Sequence, residues 1–137
     1  MDKTLPCDID AERATLGSIL LNRDAIVAVD GWLLPEHFYV EKHTWIFEAM
    51  LSCSRRRVPP DTMTVSDELR RRERLETIGG ISTLIDLVNG VPTAFHVEYY
   101  GRTVERTAVM RQLVYAGGQI AALGYDEREE LADTLER

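Results

Sequence analysis

Residues 93–123, TAFHVEYYGRTVERTAVMRQLVYAGGQIAAL, belong to the longest proline-free stretch of the sequence. Their apolar residues recur at helical spacing in two adjacent stripes, first Val97, Tyr100, Val104 and Ala108, then Val109, Leu113, Ala116, Ile120 and Leu123. This pattern predicts one long helix. A helix of about thirty residues spans about 45 Å, whereas a globule made from the preceding residues is only about 30 Å wide. Part of the helix is therefore expected to project.

Two glycine sites bear on where this helix ends. Gly117 and Gly118 each cost about 1 kcal/mol relative to alanine inside a helix, so a turn at this pair is one alternative. Gly124 followed by Asp126 instead combines a stop signal with a capping signal, which favours a later turn. We therefore predict a helical hairpin over residues 93–137. Its second helix is short and lacks a C-cap glycine, which indicates that the chain continues in a longer protein.

The residues before the long helix predict a head of five or six short helices over residues 1–92. Asp8 can cap a first helix that ends near Leu21. Thr64 and Asp67 resemble a capping box that opens a later helix, and Gly79 with Gly80 precedes another one. The remaining helical segments are expected after Asp24, at Leu34 to Tyr39 and from His43 to Ser54. No segment alternates apolar and polar residues for long, so the predicted fold is all-α.

Composition narrows the classes of function. Sixteen basic and twenty-three acidic residues give a net charge of −7, which disfavours a phosphate backbone, so strong direct binding to nucleic acid is not expected. No apolar run reaches the ~20 residues of a membrane span, and the first residues lack the layout of a signal peptide. We therefore expect a cytoplasmic protein with no membrane partner. Cys7 and Cys53 are too few and too far apart for a zinc motif.

The sequence contains no motif typical of a catalytic, cofactor-binding or metal site. The phosphate-binding string GxxxxGK[ST] is missing, and no serine lies in a GxSxG or SxxK context. The histidines, His37, His43 and His96, lack ligand partners at metal-binding spacing. The arginines at positions 70, 71, 72 and 74 alternate with acidic residues, which indicates a solvated, ion-paired face.

The projecting helix is the remaining candidate for function. Its apolar stripes have little of the head to lie on, and the short second helix cannot cover them all, so uncovered apolar surface is expected to form an interface. The alternative is that the two helices bury each other or fold back onto the head. We predict self-association of the chain through Val97, Tyr100, Val104, Ala108, Leu131 and Leu135.

Four segments together resemble a known family. They are IDAERATLGSILL at 9–21, LLPEHFYVEKHTWIFEAM at 33–50, PPDTMTVSDELRRRERLETIGG at 59–80 and VPTAFHVEYYGRTVERTAVMRQL at 91–113. In this order and spacing they resemble the N-terminal domain of the bacterial replicative DNA helicase of the DnaB family. The resemblance runs from about Pro6 to Tyr125.

This resemblance implies a helical head and hairpin joined to a RecA-like motor, which would bind ATP and Mg beyond this fragment and act as a 5′–3′ DNA helicase. It further implies a collar of three dimers that docks primase and a helicase loader or initiator. By position, the primase contacts fall at Thr83, Val114 and Ile120. An alternative is the C-terminal domain of bacterial primase, an adaptor of related fold that binds a helicase. The pattern near Ile9 to Leu21 favours the helicase domain.

Overall fold

The computed structural model describes residues 4–126 and residue 135. Within these residues the fold is all-α, as predicted. Its five α-helices are α1 (Ile9–Leu21), α2 (Glu41–Arg55), α3 (Thr62–Arg71), α4 (Ile81–Asn89) and α5 (Val97–Tyr125). Short 3-10 turns at Arg23–Ala28 and Pro35–His37 connect α1 to α2.

Helix α1 is the central element of the head, because α4 and α5 both pack against it. It begins where predicted: the Asp8 carboxylate accepts a hydrogen bond of 2.9 Å from the Ala11 amide. Gly17 lies so close to α4 that an added Cβ would collide with the carbonyl oxygen of Leu87. Glycine at this position therefore allows the close approach of α1 and α4.

The hydrophobic core lies between α1 and the other helices of the head. Fully buried side chains include Leu16 and Ile19 of α1, Ile46, Phe47 and Met50 of α2, Val65 and Leu69 of α3, and Leu84 of α4. The aromatic rings of Phe38 and Phe47 lie 5.2 Å apart, so the Pro35–His37 turn is fixed to α2 as a corner. The core accounts for the amphipathic patterns of α2 and α3.

The predicted start of α3 is wrong. Its N-cap is Asp61, whose carboxylate accepts from the Thr64 amide at 2.9 Å, while the Thr64 hydroxyl accepts from the Asp61 amide at 2.9 Å. This capping box begins directly after the Pro59–Pro60 break, three residues before the predicted one. Thr64 is thus the N3 residue of the helix rather than its cap.

Helix α5 runs without interruption through Gly117 and Gly118 and ends at Tyr125. The turn at the glycine pair is therefore excluded. The second helix of the predicted hairpin, with Leu131, lies outside the described residues, and the hairpin stays a prediction. So does the boundary at residue 92, across which packing continues: Val97 and Val104 of α5 belong to the same core as α1.

Candidate protein-interaction surface

The first half of α5, from Val97 to Arg111, packs on α1 and on both 3-10 turns. At Gly101 an added Cβ would lie 3.1 Å from Trp32 and 3.1 Å from Val29, so the helix backbone lies close to the first turn here. The guanidinium of Arg102 stacks over the Trp32 ring at 3.6 Å from its centroid. This half of the helix is part of the head.

Burial in the head corrects part of the predicted self-association set. Val97, Val104 and Ala108 are buried against the head of their own chain, so they cannot contact a second copy. The stripe pattern predicted an apolar side of the helix correctly, but the head covers more of that side than its size suggested. Tyr100 is half-buried on the same side. Leu131 lies outside the described residues, and Leu135 is exposed.

The second half of α5 differs from the first half in its exposure to solvent. From Gln112 to Tyr125 every residue is exposed or half-buried, with Leu113 67% and Ile120 70% exposed. Five apolar residues recur at alternating steps of four and three and form what we call the distal stripe: Val109, Leu113, Ala116, Ile120 and Leu123.

The distal stripe faces away from the head. At 100° per residue it lies on roughly the opposite side of α5 from the buried residues Val104 and Arg111. No described part of the chain covers its large members, Leu113 and Ile120. A contiguous exposed apolar stripe on a folded domain is typical of a protein-interaction surface.

The three residues assigned to primase docking lie in two places. Thr83 is half-buried near the start of α4, where its hydroxyl donates to the Ile78 carbonyl at 2.8 Å. It lines a groove of about 780 Å³ between α1, the start of α2, α4 and the first half of α5. Val114 and Ile120 are exposed on the second half of α5 and do not line this groove.

The groove could not be predicted from the sequence. Its walls carry three basic residues, Arg13, Lys42 and Arg106, none of which pairs with a carboxylate in the described part of the chain. Asp10 and Asp86 line it as well, so its charge is mixed. These residues come from different helices with no common spacing, and no sequence motif connects them.

Other charged residues serve the structure of the head. Among residues 4–126, no cluster of three or more His, Cys, Asp or Glu side chains is arranged to hold a metal ion. The arginine-rich face of α3 is ion-paired, as predicted, and centres on Glu68. Burial alone would raise the pKa of Glu68, but hydrogen bonds from Arg72 and Ser52 and the nearby arginine charges hold that pKa below its ordinary value.

The all-α head thus carries an uncovered apolar stripe on α5 and a groove of mixed charge. Residues 4–106 match the family model described as the DnaB-like helicase N terminal domain. The chain belongs to this family. This match favours the helicase domain over the alternative of a primase C-terminal domain.

Individual relatives agree with this assignment. The chain is 40% identical to the replicative DNA helicase DnaC of Bacillus subtilis over 98% of its length, and 44% identical to the replicative DNA helicase DnaB of Geobacillus stearothermophilus over 92%. It spans only 30% and 28% of those two proteins. The crystal structure of the N-terminal domain of DnaB helicase from Mycobacterium tuberculosis superimposes with a TM-score of 0.91 at 38% identity, covering 98% of this chain and 94% of that one.

Across the helices of the described residues, none is both long enough and apolar enough to cross a bilayer.

Proposed function

We propose that this domain is the N-terminal collar of a hexameric replicative DNA helicase of bacteria and works in the cytoplasm. The relatives named above are replicative helicases, and the matched part is about 30% of their length. ATP and Mg binding, 5′–3′ unwinding and contact with DNA belong in this proposal to a motor outside residues 1–137. The domain itself contributes assembly and docking.

Self-association through the distal stripe is the first role in this proposal, and the exposure of Leu113 is the observation that carries it. Burying a fully exposed leucine side chain in an interface contributes about 2 kcal/mol. Several such residues at heptad-like spacing can pack against the same stripe of a second copy. In the whole helicase such dimers would be arranged as a trimer of dimers.

Sedimentation velocity over a wide concentration range tests whether the domain associates at all. We expect the sedimentation coefficient to rise with concentration as dimers form, because the stripe is uncovered in one copy. A strict monomer at the highest concentration contradicts this role.

Docking of primase and of a loader or initiator is the second role. Its supports are the family membership, the exposure of Val114 and Ile120, and the position of Thr83 at the groove. Val114 provides the cleaner test, because it lies outside the distal stripe. A Val114→Asp variant should weaken binding of the cognate primase in calorimetry while leaving self-association intact. Met63→Asp, at an exposed position of α3, is the matched control, and equal binding by both variants argues against this site.

A further inference from the structure

Arg111 is the last buried residue of α5 before the uncovered half begins, with 7% of its surface exposed. Its Nη1 donates to the Pro6 carbonyl oxygen at 2.9 Å, and its Nη2 donates to the His37 carbonyl oxygen at 2.8 Å. The guanidinium carbon also lies 5.3 Å from the centroid of the Tyr39 ring. One side chain of α5 thus binds two backbone segments that are far apart in the sequence.

The charge of Arg111 has no anionic partner among the residues that the structure describes. A buried cation is costly unless its N–H groups are hydrogen-bonded, and here two carbonyl oxygens fill that role. The planar guanidinium donates in two diverging directions at once, whereas a lysine ammonium is a compact point charge on a flexible stem. The geometry therefore favours arginine at this position.

The two segments bound by Arg111 differ in their other support. The corner after His37 is also held from α1, since the amides of Tyr39 and Val40 donate to the Glu12 carboxylate at 2.8 and 3.3 Å. The N-terminal arm, residues 4–7, has no hydrogen bond other than that of Pro6 to Arg111 in the described structure. Loss of Arg111 should therefore affect the arm more than the corner.

We propose that Arg111 is a positioning residue that clamps the N-terminal arm onto α5 and fixes the point at which the helix leaves the head. When Arg111 is bound to both carbonyl oxygens, the contact between α5 and the head extends to Arg111, and the distal stripe projects at a defined angle. Without it, the last buried residue of α5 is Ala108, almost one helical turn earlier. The consequence for self-association rests on the function proposed above; the clamping of the arm does not.

The two natural cysteines report separately on the arm and on the core. Cys7 is half-buried in the arm next to Pro6, whereas Cys53 is fully buried in α2. Burial also raises the pKa of the Cys53 thiol, which lowers its reactivity further. Alkylation of Cys7 without Cys53 therefore detects release of the arm from a head that remains folded.

The experiment compares Arg111→Met with Arg106→Met, a change at an exposed arginine of the same helix that has no carboxylate partner among the described residues. Alkylation with iodoacetamide, followed by peptide mass spectrometry, gives the rate at each cysteine. We expect severalfold faster modification of Cys7 in Arg111→Met, with Cys53 unchanged and Arg106→Met equal to wild type. An unchanged Cys7 rate overturns the clamp, and so does acceleration of both cysteines together, which indicates general unfolding.

A second measurement tests the positioning role. In sedimentation, Arg111→Met should weaken self-association by about tenfold, because loss of both hydrogen bonds leaves the angle at which the distal stripe projects unfixed before binding. Faster alkylation of Cys7 with unchanged association overturns the positioning role. If the wild-type domain does not associate at all, the proposed function fails, and the cysteine rates still decide whether the clamp exists.

Discussion

Oε1 of Glu12 lies 2.8 Å from Nδ1 of His43, and both side chains are buried in the centre of the head. The same carboxylate accepts the amides of Tyr39 and Val40. It therefore ties α1 to the first turn of α2 and to the corner that precedes it. A buried carboxylate with this many donors connects three elements of the chain through one side chain.

Removal of this carboxylate should destabilise the head. Glu12→Ala leaves the buried His43 ring and two partly buried amides without their acceptor, so we expect the free energy of unfolding to fall by about 3 kcal/mol. Urea unfolding followed by circular dichroism measures the change. Asp10→Ala, at an exposed position of the same helix, is the control and should cost less than about 0.5 kcal/mol. Equal losses in the two variants contradict this role of Glu12.

Two glycine-to-alanine changes should have opposite effects. Gly17→Ala forces α1 away from the Leu87 carbonyl, so it should destabilise the domain by about 2 kcal/mol. Gly118→Ala meets open space in α5 and should favour the helix by up to about 1 kcal/mol. Thermal unfolding monitored by circular dichroism compares them. A stable Gly17→Ala variant refutes the close packing of α1 on α4.

Glu68 should make stability depend on pH. Its pKa is lower in the folded protein than its ordinary value of 4.5, so its contribution is present above that value and is lost as the pH falls through the folded pKa. Glu68→Gln should cost about 1 kcal/mol at neutral pH, a modest value because its arginine partners are partly exposed. Urea unfolding at pH 7 and near pH 3 tests this. The free energies of unfolding of the wild type and of Glu68→Gln should become equal near pH 3. The same difference between them at both pH values would show that the charge of the Glu68 carboxylate does not stabilise the fold.

Local signals allowed most helices to be predicted from the sequence. Asp8 marks the start of α1 by a carboxylate cap, and Gly79 with Gly80 marks the start of α4. The start of α3 was misplaced because Asp61 and Thr64 compete as caps, and the proline pair before Asp61 decides between them. Capping residues therefore indicate that a helix is present more reliably than they indicate the residue at which it begins.

Contacts between distant residues could not be predicted. A helical stripe shows which side of α5 is apolar, but it does not show that the head covers Val104 and leaves Leu113 free. Arg111 binds Pro6 and His37, which lie 105 and 74 residues away, and Glu12 meets His43 across 31 residues. Such partners are brought together only by the packing of the helices, so the sequence carries no spacing that indicates them.

The most direct test of the central claim, that the distal stripe mediates self-association, is a comparison of two variants by sedimentation equilibrium. Leu113 and Tyr115 are both large and exposed, at 67% and 58%, and they lie on roughly opposite sides of α5. We predict that Leu113→Glu makes the domain monomeric at concentrations where Tyr115→Glu and the wild type still associate, with unchanged helicity in all three. Association of Leu113→Glu at wild-type strength would contradict the account.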